Sequence, residues 1–252
     1  MPTDIGGEQA ARALFALLEL IARHSPHGWR RPGRDADTRL ISIGAPLAMF
    51  NGVFRNGREP DPADLEAYAQ QADDLPWSVF SAAEPSPGLR AAAAAAGLTG
   101  EHRAPVLTRP AGPVPPTPDG VVVRAVGPGD RKPYVDLLAA GFEAPREIFD
   151  ALMTESLMGA PGVTSYLIEA HGEPVATGFG VLAEGLVGIF NVATPPAFRR
   201  RGYGRVATEA ALREGFAAGA TGAYLLPSEM GLPLYRAMGF RPTATWTFLV
   251  SE

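Results

Sequence analysis

Apolar residues recur at helical spacing at Leu14, Leu17, Leu18 and Ile21, then give way to short apolar runs at Leu40 to Ile43 and at Val53-Phe54. The first pattern marks a helix with one covered face, the second marks short strands. A proline and acidic residues open a second helix over Asp61 to Ala72, where a missing N–H costs nothing and negative charge meets the positive end of the helix dipole. Trp77 to Phe80, Pro87 to Ala96 and Ala104 to Thr108 continue as strand, helix and strand.

Between the halves, Arg109 to Gly120 carries five prolines. Proline fixes φ and removes a donor, so this stretch reads as an extended, semi-rigid connector. The boundary falls there, giving modules over residues 1–115 and 116–252. Beyond it, Val121 to Val126 starts a sheet, and Arg131 to Ala140 and Arg146 to Met158 read as helices broken at Gly141 and Pro145. Val163 to Ala170 and Val175 to Leu182 flank the turn-forming His171-Gly172-Glu173-Pro174 and should pair as a hairpin, with Gly185 to Ala193 as the next strand. Tyr203 to Ala218 is a helix that puts Ala207, Ala210, Ala211 and Ala218 on one face, where small side chains allow close packing on a sheet. Ala223 to Pro227 is a short buried strand, a helix starts at Pro233 and ends at Met238-Gly239, and Phe240 to Val250 is one more strand.

Composition narrows the function. The chain has 252 residues and a formal net charge of -5, which argues against a nucleic-acid binder with a broad basic surface. It has no cysteine, so disulfides, thiolate nucleophiles and cysteine-bound zinc are excluded. His24 and His27 lie in one turn while His102 and His171 stand alone, so no metal site is expected. The apolar run near the N-terminus is interrupted by Arg12 and Glu19, too charged for a secretory signal or a membrane span, and the cytoplasm is the expected location.

Between a strand and a helix lies Val192 to Arg205, V-A-T-P-P-A-F-R-R-R-G-Y-G-R. Arg199, Gly202 and Gly204 form R-x-x-G-x-G. The glycines let the backbone turn sharply and approach a ligand, and the free N–H groups of the following helix point back at it. With Arg200, Arg201 and Arg205 around it, the loop reads as a cradle for a pyrophosphate. Its spacing matches neither the triphosphatase loop nor the dinucleotide fingerprint.

This motif, and the segment L-L-P-S-E-M-G-L-P-L-Y-R-A-M-G-F over Leu225 to Phe240, resembles the GNAT superfamily of acyl-CoA N-acyltransferases over about Val121 to Val250. The resemblance implies a mixed, mainly antiparallel sheet flanked by helices, and acetyl-CoA as co-substrate. It implies that Val192, Ala193 and Thr194 hold the pantetheine arm through their backbones, between two strands that splay apart. The amides of Arg200, Arg201, Gly202, Tyr203, Gly204 and Arg205 would take the pyrophosphate, with Arg199, which opens the motif, also a cofactor-binding residue. Tyr235 matches the family tyrosine that serves as general acid at the thioester sulfur, the alternative being an aromatic on that helix face packed into the core. Ser228 stands where many relatives have a cofactor-contacting asparagine, and it could equally cap a helix.

The general base is less legible. Many relatives carry a strand-five glutamate where this chain has Ala223. Glu143 is the leading candidate, with Glu229 and His171 as others and Asn191 able only to orient a water; an ammonium could also lose its proton to water. The reading is an N-acetyltransferase for a small-molecule amine, with no nucleic-acid or membrane partner; a homodimer is compatible with it. A non-catalytic acyl-CoA sensor and another acyl-CoA reaction, such as O-acylation or decarboxylation, are the alternatives. The first module repeats the strand, helix, Gly-apolar, strand order without the chemistry, since Ala93 stands four before Gly97 as Tyr235 stands four before Gly239. It is either a degenerate GNAT repeat or a smaller, unrelated α/β cap.

Overall fold

The computed structural model describes residues 5–72 and 74–251. Helix α1 (Gly7–His24) leads into β1 (Trp29–Pro32), β2 (Thr38–Ser42), β3 (Gly52–Arg55), α2 (Pro62–Ala69), β4 (Ser78–Ser81), α3 (Pro87–Ala95) and β5 (Gly100–Pro110). The second run is β6 (Val121–Val126), α4 (Arg131–Phe142), α5 (Arg146–Leu152), α6 (Glu155–Met158), β7 (Val163–Ala170), β8 (Glu173–Ala183), β9 (Leu186–Ala193), α7 (Tyr203–Ala217), β10 (Gly222–Leu225), α8 (Leu232–Ala237) and β11 (Arg241–Val250).

The chain forms two compact units. Residues Gly6–Val106 with 242–251 make the N-terminal unit, and Leu107–Arg241 with Ile5 make the C-terminal unit. The crossings fall inside β5 and at the start of β11. In the N-terminal unit the strands run β1-β2-β3-β4-β11-β5. Strands β1, β2 and β3 are antiparallel, β4 is parallel to β3, and β11 pairs antiparallel with β4. Trp246 and Phe248 of β11 are fully buried and meet Phe80 edge-on. Large aromatic rings so buried each contribute about 3 kcal/mol or more, judged by what their truncation costs.

In the C-terminal unit, residues 107–110 of β5 pair antiparallel with β10, β10 is parallel to β9, and β9, β8, β7 and β6 follow antiparallel. The β7–β8 link is the two-residue turn His171-Gly172, both with positive φ, the backbone that matches the strands' twist. Helix α7 lies close on this sheet because both partners are small. A Cβ on Gly178 would come within 3.2 Å of Ala207, and one on Gly215 within 2.6 Å of Val187.

Several elements differ from the expectation. The arginine-rich β1 lacks any apolar alternation and is not visible in the sequence pattern. Helix α4 runs past Gly141 and stops at Glu143, whose φ of 53° is left-handed. The stretch expected as one helix to Met158 divides at Met153, and Thr154 caps the second piece through Leu157 N. Ala207, Ala210 and Ala211 are buried as expected, but Ala218 is exposed because the helix has ended there.

Candidate active site

The end of β9 opens a wedge in the C-terminal unit. Parallel pairing with β10 covers only Gly222↔Leu186, Ala223↔Val187 and Tyr224↔Gly188, while β9 continues to Ala193. The β10-facing edge from Ile189 onward therefore has no strand partner among the described residues. A bulge contributes to the divergence. Thr177 of β8 partners Ala193 and Phe179 partners Phe190, so β9 carries one residue more than β8 across this step, and Asn191 has a φ of 51°. A bulge bends its strand and re-aims side chains. Thr177 Oγ1 donates to Asn191 O at 2.7 Å, and Asn191 Nδ2 reaches Met153 Sδ at 3.2 Å.

The loop from β9 to α7 brings backbone donors to the mouth of this wedge. Arg200 (φ 65°) and Gly202 (φ 87°) are both left-handed, so the chain turns sharply twice just before α7. Gly202 caps α7 without any side-chain acceptor, and Val206 N is the first donor of the helix ladder, bonding Gly202 O at 3.1 Å. A Cβ on Gly202 would meet nothing within 4 Å, so it faces open space. Gly204 faces inward, its missing Cβ lying 3.7 Å from Val192 and Leu234 and 3.8 Å from Thr194.

The arginines divide by role. Arg199 turns to the back of the loop, where Nε donates to Thr194 O at 3.0 Å and Nη2 donates to Gly141 O at 3.0 Å and Glu143 Oε1 at 2.6 Å. Gly141 is tightly placed there, since a Cβ would come within 2.7 Å of Ala193. Arg199 thus ties the end of α4 to the end of β9. Arg205 lies 3.7 Å from Glu209, one helical turn on; burial pushes the Glu209 carboxyl up, while Arg205 and Arg213 oppose the shift. Arg200 and Arg201 are exposed and, among the described residues, have no carboxylate partner.

Tyr235 sits on α8 in the core of this unit, 9% exposed, with its ring edge-on to Phe240. Burial pushes its phenol up to about 12, and a hydrogen bond with Thr208 partly offsets this. Thr208 is fully buried and donates to Gly204 O at 2.8 Å. Neither Thr208 nor Met153 is a candidate by motif; Thr208's one sequence signal is its place a helical turn after Gly204. Ser228 is exposed and its Oγ accepts from Gly231 N at 3.2 Å, the turn that leads into α8.

Of the residues considered as base, Glu143 is 60% exposed at its side chain and held by Arg199. Glu229 and His171 are exposed, the latter in the hairpin turn, and Ala223 is fully buried in the sheet ladder. No group of carboxylates and histidines among the described residues could hold a metal ion, and none of their helices is long and apolar enough to cross a membrane. Two cavities, about 460 Å³ beside Glu19, Arg30 and Arg39 and about 220 Å³ beside Tyr166 and Glu214, include no residue of 192–205 in their linings.

Comparison with known proteins follows this geometry. Residues 133–240 match the model of the acetyltransferase (GNAT) family. Among solved structures, the chain is similar to a GCN5-related N-acetyltransferase from Kribbella flavida, at 25% identity and a TM-score of 0.67, covering 96% of this chain and 95% of that one. It is also similar to a putative acetyltransferase from the GNAT family from Novosphingobium aromaticivorans, at 18% identity and a TM-score of 0.59, covering 96% and 97%. A functionally unknown conserved protein from Staphylococcus epidermidis aligns at 13% identity and a TM-score of 0.60, covering 87% and 92%. These last two show the fold alone. No curated protein matches the chain.

Proposed function

Residues 133–240 belong to the GNAT acetyltransferase family and the chain is an acyltransferase, and from that premise we propose an acetyl-CoA-dependent N-acetyltransferase acting on a small-molecule amine in the cytoplasm. The carrying observation is a β9 edge with no strand partner among the described residues, followed in the chain by a start of α7 that no side chain caps, with Tyr235 of α8 in the core cluster against which Val192 packs. The residues fit a long ligand with phosphates at one end. Open space at Gly202 and the left-handed pair Arg200 and Gly202 suit pyrophosphate oxygens, with Arg200 and Arg201 adding charge. The free edge from Ile189 to Thr194 suits the amides of a pantetheine arm, which can pair with it as a strand would.

Acetyl-CoA supplies the acetyl thioester. Tyr235 then serves the sulfur. With its ionisation near 12 it stays a neutral donor at physiological pH, while a thiol ionises near 8.5. Its work is therefore to hydrogen-bond the charge developing on sulfur, and coenzyme A can depart as the thiolate. Glu143 is read as the anchor of Arg199, because that guanidinium occupies one of its oxygens. The acceptor ammonium then loses its proton to water before attack.

The test is Tyr235→Phe. The ring and its packing remain, so coenzyme A affinity by calorimetry should be near native, while kcat falls about 10- to 1,000-fold. Since the folded phenol ionises only near 12, Tyr235 should set no alkaline limb below about pH 11, and activity dependent on it should fall only as pH rises through 12. Full turnover by Tyr235→Phe on an accepted amine would overturn the assignment.

A further inference from the structure

The cavity of about 220 Å³ in the C-terminal unit shares no lining residue with the cofactor loop. Much of its lining is small and apolar, from Gly180, Leu182, Val187, Ala211 and Gly215, and Glu214 stands among them. Glu214 lies in the last turn of α7, ten residues after Gly204, so the helical rise of about 1.5 Å per residue puts it about 15 Å from the start of that helix. Its carboxylate is held on both oxygens. Thr164 Oγ1 donates to Oε1 at 2.6 Å and the Tyr166 hydroxyl donates to Oε2 at 2.8 Å, from positions two apart and therefore on one face of β7. Burial, and this carboxylate after it, push the Tyr166 phenol well up, so it remains a donor.

Two hydroxyls fix this carboxylate without neutralising it. A carboxylate has about four acceptor positions, so each oxygen keeps room for another donor. Among the described residues no arginine, lysine or histidine forms an ion pair with Glu214. Arg213, its neighbour in the chain, donates through Nη2 to Pro115 O at 2.7 Å. The last turn of α7 holds no basic residue, although the carbonyl end of a helix favours positive charge. The charge calls for a cation, and the apolar lining calls for one with a hydrocarbon body. At about 220 Å³ the space is below the roughly 300 Å³ at which pockets for drug-sized ligands begin, and one carboxylate balances one charge. We propose that this cavity is a binding site for a small alkylammonium ion, with its nitrogen on Glu214 and its chain along Gly180 and Ala211, separate from the wedge at β9 and α7.

The probe is n-butylammonium chloride, titrated into the full chain and followed by backbone amide chemical shifts, with sodium chloride and n-butanol as controls. Binding should saturate with a dissociation constant on the order of 1 mM, as suits so few atoms, and should shift the amides of 162–166, 180–182 and 211–215. Uncharged n-butanol should bind about tenfold more weakly or less, because the ammonium makes the charge-assisted bond. Glu214→Gln keeps the shape and an acceptor for one hydroxyl while removing the charge, and it should weaken butylammonium about tenfold. Gly180→Ala narrows the lining at ordinary contact distances, 3.4 Å from Ala211 and 3.7 Å from the Tyr166 ring and hydroxyl, and should weaken it about fivefold. Saturating coenzyme A should leave the affinity unchanged. The proposal is overturned by no saturation at about ten times the expected constant, by equal binding of n-butanol, or by native affinity in Glu214→Gln. Shifts confined to 189–205, or competition by coenzyme A, would place the amine in the wedge and overturn it as well. Should Glu214→Gln fail to fold, Gly180→Ala carries the test, and native affinity in that variant overturns the proposal.

Discussion

Helices α2 and α7 hold the same place in their units, each carrying the chain from an antiparallel strand to a parallel neighbour, yet they begin in opposite ways. Helix α2 starts at Pro62 behind Asp61, whose carboxylate accepts from Ala63 N at 2.9 Å. Its first turn is closed and negative. Helix α7 starts behind Gly202 with no side-chain acceptor and with exposed arginines ahead of it. The helices that follow also share a frame. Ser86 Oγ accepts from Leu89 N as Ser228 Oγ accepts from Gly231 N. Leu98 N donates to Ala93 O at 2.9 Å as Phe240 N donates to Tyr235 O at 3.1 Å, past left-handed Gly97 and Gly239. One backbone plan thus carries a phenol and an open helix end in one unit, and a methyl group and a capped, acidic end in the other. The plan makes the fold; the side chains and the cap decide whether an anion can bind.

The strongest way to break this comparison is at Gly202. A β-branched residue there must abandon the left-handed backbone or carry strain of about 1–3 kcal/mol, so Gly202→Val should weaken coenzyme A binding about 10- to 100-fold. Titration of the native chain should saturate at one equivalent, since α2 offers no open end; a second equivalent, or native affinity in folded Gly202→Val, would break the contrast. A smaller effect is expected from Arg200→Ala with Arg201→Ala. Removing two exposed charges should reduce affinity about tenfold at low salt and less at high salt, and a loss independent of salt would mean that the arginines do not act as fixed charge. The smallest concerns the other helix. Asp61→Ala should remove about 1 kcal/mol of cap energy, lowering Tm by about 2–4 °C, with coenzyme A affinity unchanged by calorimetry. Altered affinity would tie α2 to the cofactor and undo the distinction.

Much of this was legible along the chain. R-x-x-G-x-G placed the loop because only glycine tolerates φ near 87° without strain, and the periodicity of 203–218 and 163–182 gave helix and hairpin to within a residue or two at most ends. The direction of Arg199 was not legible. It reads as a phosphate ligand from its place in the motif, whereas it bonds Gly141 O and Glu143, more than fifty residues earlier in the chain. The same holds for Thr208, whose complete burial beside the Gly204 carbonyl appears only in the fold.

Local sequence determined most of the strands and helices, β1 apart, and the left-handed turn at Gly202, because these rest on spacing, caps and sterics within a few residues. Tertiary structure alone decided which unit each strand completes: residues 107–110 of β5 pair with β10, and β11 pairs with β4. A strand's alternation records which of its faces is covered and says nothing of whose N–H and C=O groups lie at its edge, so partners distant in the chain are chosen only when the buried rings of Trp246 and Phe248 find the core that fits them.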